Sequence, residues 1–159
     1  MPRMATRWLT KDQQRAWRAY VEAVRLLAES LDAQLQADAD MPHAYYEILV
    51  RLSEAPDRRL RMAELATGTQ SSRSRVSHAV ARLEERGWVL REPCPSDRRG
   101  QLAVLTDAGH AALAAAAPGH VARVRATVID ALSPDQLHAL ADASMAIAAA
   151  VRAIPTAES

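Results

Sequence analysis

Seven consecutive residues, Ser72 to His78, carry six side chains able to hydrogen-bond and no acid. Ser72, Arg73, Ser74, Arg75, Ser77 and His78 are interrupted only by Val76. An arginine fork can take two acceptors on one guanine edge, and hydroxyls and an imidazole suit base edges and phosphates. Val76, Val80 and Leu83 recur at i, i+4 and i+7, which predicts an amphipathic helix from Ser72 to about Arg86. On that helix Arg82 falls nearer to where a phosphate would lie. The acids Glu84 and Glu85 wait until its far end, whereas a helix built only for solubility would mix its charge signs. The plain alternative is an amphipathic helix with a solvated polar face.

The elements around this helix limit the choice. Met62, Leu65 and Ala66 give a brief preceding helix, roughly Met62 to Thr67. Gly68 is expected to permit the backbone turn between the two helices, which together form a helix-turn-helix. After Gly87 the period changes. Trp88, Val89 and Leu90 begin one strand, and Leu102, Val104 and Leu105 end another. Between them Pro93, Pro95 and Gly100 bracket Ser96-Asp97-Arg98-Arg99 as a loop. A hairpin with a basic tip beside a helix-turn-helix reads as a winged helix.

Three segments, in this order, resemble the MarR family of bacterial transcriptional regulators: SRSRVSHAVARLEERG, Asp97-Arg98-Arg99-Gly100, and Leu105-Thr106-Asp107-Ala108-Gly109. The resemblance implies a mainly α fold with a small β-hairpin wing: a winged helix-turn-helix, 56–105, plus a helical dimerisation lobe, 10–40 and 106–155, in one domain, 1–159. It implies that Arg99 enters the minor groove with Asp97 steadying its guanidinium, and that Arg98 adds a basic contact in the wing. It also implies a homodimer on a palindromic double-stranded DNA operator, acting as a repressor released by a small, aromatic ligand.

Charge agrees through its distribution. The whole chain of 159 residues has a formal net charge of only +1. Between Arg58 and Gly100 ten arginines face five acids, a segment of +5, and the remainder is −4. A basic face on a slightly acidic body favours nucleic acid at one side. No apolar run approaches the roughly 20 residues of a membrane span, and no signal-peptide core opens the chain. A single cysteine excludes an intrachain disulfide, so a cytoplasmic location is expected. The five histidines lack ligand spacing, so no metal or cofactor is expected. No phosphate loop, nucleophile elbow or carboxylate pair suggests an enzyme.

The flanks read as helices. Met1 to Leu9 is a loose lead-in, and Thr10-x-x-Gln13 is a capping box. Trp17, Tyr20, Val24, Leu27, Leu31 and Leu35 then predict a helix to about Ala37, longer than a compact domain of this size needs. Pro42 suits the first turn of the next helix, whose inner face would be Tyr45, Ile48, Leu49 and Leu52. Thr106 caps a helix that Pro118-Gly119 should bend, two separate helices being the alternative. Ser133-Pro134-Asp135-Gln136 opens a terminal helix striped with Leu137, Leu140, Ile147, Val151 and Ile154. Long apolar helices at both ends imply dimerisation.

Trp17, Tyr20, His43, Tyr45, Tyr46 and Arg51 offer flat apolar walls and a few polar tips, the usual makings of a small-molecule pocket. The resemblance places such a crevice between the dimer helices and the winged helix; packed core is the competing reading. Cys94 reads as an inert hairpin residue. The alternative is a redox-responsive regulator in which Arg91, Arg98 and Arg99 lower its thiol pKa. A further alternative is a winged-helix protein-interaction module that does not bind DNA.

Overall fold

A computed structural model describes residues 6–69, 71–95 and 97–154, the side chains of Arg98 and Arg99 excepted. The chain forms two compact units, one up to His120 and one from Val121 onward.

The capping box at Thr10 closes as its sequence requires. Gln13 N–H donates to Thr10 Oγ1 at 3.2 Å, and Thr10 N–H donates back to Gln13 Oε1 at 2.9 Å. The helix it opens, α1 (Lys11–Ala39), has 29 residues and so runs about 43 Å. Only Gln34 and Leu35 of α1 are buried. Trp17, Tyr20, Val21, Val24 and Leu26 are exposed along it. Asp40 ends α1 in the left-handed region, at φ 47°. Helix α2 (His43–Glu54) follows, with Pro42 at its N-cap. Its first free N–H, on His43, donates to Asp32 Oδ1 at 2.8 Å. The inner face of α2 holds Tyr46, Ile48, Leu49 and Leu52. Tyr46, not Tyr45, is therefore the tyrosine turned inward, while Tyr45 packs partly buried at the core's margin.

A short 3-10 turn (Pro56–Arg58), with Asp57 and Arg58 at positive φ, leads into a strand the sequence did not suggest, β1 (Arg59–Arg61). Helix α3 (Met62–Gly68) and helix α4 (Arg73–Glu85) form the helix-turn-helix. Gly68 is the last residue of α3, and it does not take a positive φ. The turn is held instead by buried Thr69, whose Oγ1 donates to the Leu65 carbonyl at 2.9 Å, and by Ser71 N–H to the Ala66 carbonyl. Gly87 is where left-handed freedom is needed. At φ 71° it ends α4 with two bonds, Gly87 N–H to Glu84 O and Trp88 N–H to Leu83 O. These are the paired closures of a glycine-terminated helix.

Strands β2 (Val89–Cys94) and β3 (Asp97–Leu105) form the hairpin. Asp97, Arg98 and Arg99 belong to β3 and not to a loop. Cys94 pairs with Asp97, which leaves two residues at the tip, of which Ser96 lies outside the described residues. The sheet is three-stranded and antiparallel, in the order β1-β3-β2. Leu35, Met41, Leu49, Leu52, Leu65, Val80, Leu83 and Val89 are fully buried in one core, each worth roughly 1.5–3 kcal/mol on burial.

Helix α5 (Asp107–Val124) starts where Thr106 Oγ1 accepts from Gly109 N–H and donates to the Gly87 carbonyl at 2.7 Å. The helix lies so close to Trp88, the residue before β2, that a Cβ at Gly109 would overlap the Trp88 carbonyl oxygen. Pro118 sits inside α5 without ending it. The departure from α geometry comes later, as a π turn at Arg125–Ile129.

In the second unit, Ser133 and Gln136 form another reciprocal cap, and Pro134 takes the first position of α6 (Pro134–Arg152). No residue of α6 is buried, and Leu140, Met145, Ile147 and Val151 are exposed. Among the described residues, no helix is long and apolar enough to cross a membrane.

Candidate nucleic-acid interface

Helix α4 fixes the candidate reading residues by its own periodicity. Val76, Val80 and Leu83 face the core, which turns Ser74, His78 and Arg82 to the opposite side and Arg73 and Ser77 to one flank. Ser72, Arg73, Ser74, Arg75, His78 and Arg82 are exposed, and Ser77 is half-buried. Ser72 has a structural task, because its hydroxyl caps the helix by accepting from Arg75 N–H at 3.3 Å. Arg73 and Ser77 line a shallow crevice of about 240 Å³ with Met62, Ala63 and Gln101, between α3, α4 and β3. Arg82 is held by Glu85 at 2.8 Å, so it must leave that carboxylate to meet a phosphate. No acid occupies the first turn of α4, and the free N–H groups there add positive potential.

The wing stands on β2 and β3. Asp97 is exposed, and its carboxylate folds over Gly100: a Cβ at that glycine would lie 2.9 Å from Asp97 Oδ2 and 3.1 Å from Cys94 Cβ. The backbone of Arg98 and Arg99 continues β3, but their side chains lie outside the described residues, and with them any Asp97–Arg99 pair. Cys94 is buried at the base of the hairpin tip.

Two further contacts escaped the sequence. Arg91 reaches from β2 along α4 to Glu84 and to the Ser77 carbonyl. Arg86, at the end of α4, binds Asp40 at the α1–α2 corner and lies 4.9 Å from the Trp88 ring centre. Arg86 joins segments forty-six residues apart and Arg91 joins a strand to the preceding helix, and no spacing rule announces either.

The six candidate ligand residues do not converge on one place in the chain. Trp17 and Tyr20 lie together on α1, ring centres 6.3 Å apart, both exposed. Asp32, which touches His43, is fifteen residues further along α1, about 22 Å away. Arg51 is exposed and its stem runs over Gly68 at the end of α3. His43 and Tyr46 do come together, through a residue that was not a candidate: His120 of α5. Its ring centre lies 4.4 Å from that of Tyr46 and 5.7 Å from that of His43. Burial, and then the neighbouring His43, push the His120 pKa down; burial raises that of the Tyr46 phenol. His120 Nδ1 is buried without a hydrogen-bond partner. A neutral imidazole among rings is the state this environment favours.

Residues 39–100 match the sequence profile of the MarR family. The chain is similar to Sco3205, a MarR family transcriptional regulator from Streptomyces coelicolor solved in complex with DNA. Identity is 52%, over 97% of this chain and 97% of that one, with a TM-score of 0.92. AbsC, a MarR family transcriptional regulator from the same organism, is 46% identical over 94% of this chain and 100% of its own, with a TM-score of 0.89. A mutant of MarR from E. coli, complexed with operator DNA, shares the fold at 21% identity over 82% and 91% of the two chains, with a TM-score of 0.74. No curated protein sequence matches.

Proposed function

The chain belongs to the MarR family of transcriptional regulators, and from that premise we propose that it is a homodimeric repressor that reads a palindromic DNA operator through α4 and the wing. The observation that carries this reading is the exposed, acid-free first half of α4, with Arg73, Arg75 and His78 beside a hairpin whose strand carries Arg98 and Arg99. Ser74, Arg75 and His78 take the base edges, Arg73 and Ser77 the flank nearest the wing, and Arg82 a phosphate. Arg99 reaches the minor groove, and Asp97 orders the wing around it. The DNA complex of the 52%-identical Sco3205 supports the same choice of ligand.

Dimerisation is supported by two apolar surfaces, each argued on its own helix. Tyr20, Val21 and Val24 remain exposed on α1, and Leu140, Ile147 and Val151 on α6. A second copy would cover them, and it would set two α4 helices about one DNA turn, roughly 34–36 Å, apart. Release by a small aromatic ligand completes the proposal. Within one chain its support is the ring cluster of His43, Tyr46 and His120, with Trp17, Tyr20, Tyr45 and Arg51 outside that cluster.

The test is a selection from random-sequence duplexes, with wild type and Arg75→Ala in parallel. Wild type should enrich a two-fold symmetric site, and Arg75→Ala should lose preference at one base pair per half-site, worth roughly 1–3 kcal/mol. Enrichment of no sequence would favour a winged-helix module that binds protein instead. Uniform weakening of Arg75→Ala on every duplex would make Arg75 a phosphate contact.

A further inference from the structure

Arg91 of β2 is held against α4. It stands two residues after buried Val89, on the same face of β2, opposite fully buried Ala103 of β3. The small alanine leaves the long arginine stem room to lie across the strand pair toward α4. Its Nη2–H donates to the Ser77 carbonyl at 2.7 Å, and its Nε lies 3.2 Å from Glu84 Oε2. The other Glu84 oxygen accepts from the Arg91 backbone N–H at 3.1 Å. Side-chain exposure is 23% for Arg91 and 32% for Glu84, lower than in most of the other ion pairs described.

Ser77 and Glu84 are seven residues apart, two turns along one side of α4. Arg91 thus bonds the helix at two levels, through its guanidinium at Ser77 and its backbone N–H at Glu84, while its Nε lies against the Glu84 carboxylate without a hydrogen bond, and it ties both levels to a wing strand. Gripping two levels fixes the rotation of α4 about its own axis as well as its distance from β2. Rotation is what decides which side chains face a groove floor, since successive residues of a helix turn by about 100°. A half-buried ion pair is a poor way to add stability, because desolvation offsets most of its attraction and an apolar side chain of similar volume commonly serves as well.

We propose that Arg91 is a positioning residue for sequence reading: it sets the roll of α4 relative to the wing, so that Ser74, Arg75 and His78 meet base edges while the wing meets its own contact. The proposal rests on the DNA-reading function above. It assigns Arg91 no contact with DNA, and it makes the wing and the recognition helix one rigid reading unit.

The experiment uses full-length protein, the duplex that wild type enriches from random sequence, and a scrambled duplex of equal length. Arg91→Met, Arg91→Lys and the double variant Arg91→Met/Glu84→Gln are compared with wild type, each well below its melting temperature. The double variant guards against instability from an unpaired Glu84. Expected is a loss of about tenfold in the enriched-to-scrambled affinity ratio in all three. Affinity for the scrambled duplex should stay within about twofold, and the salt dependence of binding should be unchanged. A repeated selection should show relaxed preference at the bases read by α4. Full rescue by Arg91→Lys, or a shallower salt slope in Arg91→Met, would make Arg91 a phosphate contact and overturn the proposal. Wild-type ratios in all three variants would overturn it as well. If wild type itself does not discriminate the duplexes, the DNA-reading function fails first, and that failure shows before any variant is compared.

Discussion

Arg86 closes the last turn of α4 onto the corner between α1 and α2: its Nη1–H donates to the Asp40 carbonyl at 2.7 Å, and its Nη2 lies 3.2 Å from the Asp40 carboxylate. The two halves of this contact differ in worth. The carboxylate is 87% exposed, so its attraction is screened and adds little. The carbonyl bond and the cation resting over the Trp88 ring are better sheltered. Arg86→Ala should therefore cost about 1–2 kcal/mol. Asp40→Gly should be nearly neutral, because glycine relieves the left-handed backbone while the carboxylate is lost. Urea unfolding of the two variants checks the order; an Asp40→Gly protein as weak as Arg86→Ala would show that the carboxylate carries the contact.

Two glycines, Gly109 of α5 and Gly87 at the end of α4, should respond differently to alanine. Gly109→Ala drives a methyl into the Trp88 carbonyl and to within 2.8 Å of Leu105 Cδ1, so α5 must back away from Trp88 and the end of β3. The cost should be about 3 kcal/mol or more. Gly87→Ala meets nothing within 4 Å and suffers only its positive φ, about 1–2 kcal/mol. Thermal and urea unfolding of both would check this, and equal losses would contradict the close approach of α5 to Trp88.

Acid should weaken the fold through His120. Its pKa is lowered in the folded state by burial first and His43 second. The unfolded chain therefore takes up a proton at a higher pH than the folded one. Stability is full above the ordinary histidine pKa of about 6.5 and is lost as pH falls through the lower, folded value. His120→Leu should flatten the decline in melting temperature between neutral and mildly acidic pH. An unchanged slope would assign the acid sensitivity to other groups.

The exposed apolar face of α6 gives a prediction about assembly. Ile147→Glu with Val151→Glu places two charges on a face that holds no buried residue in one chain. The change should leave helix content unaltered and shift the protein from dimer to monomer at micromolar concentration in sedimentation. A dimer that persists would place the contact between copies elsewhere.

Local order was readable because its causes are local. Thr10 with Gln13 and Ser133 with Gln136 are reciprocal caps written within four residues, and both close. The stripe of Val76, Val80 and Leu83 is buried as its spacing demands. Long-range pairing was not readable. β1 is three residues, Arg59-Leu60-Arg61, with no strand composition, and it exists because β3 offers a free edge. Asp97 to Arg99 read as loop because turn-forming residues surround them, yet β3 begins at Asp97, which pairs with Cys94, and Arg98 to Gly100 span the register break before Gln101 pairs with Pro93. Gly68 looked like the turn's hinge, while Thr69 and Ser71 supply the bonds. His120 joined His43 and Tyr46 across more than seventy residues of chain, and no spacing rule connects them.

The sheet's two outer strands carry a consequence for behaviour at high local concentration. Unpaired strand edges invite other chains to add to them. Here one edge is β1, three residues long and bearing two arginines, with Arg59 lying 3.5 Å from Glu92. The other is β2, where Pro93 lacks an N–H and the register breaks between Pro93 and Cys94. Brevity and charge blunt the first, and proline, with the register break beside it, blunts the second. Copies gathered side by side on neighbouring stretches of DNA therefore find a poor template for strand addition in these wings, which guards a crowded regulator against aggregating through the sheet.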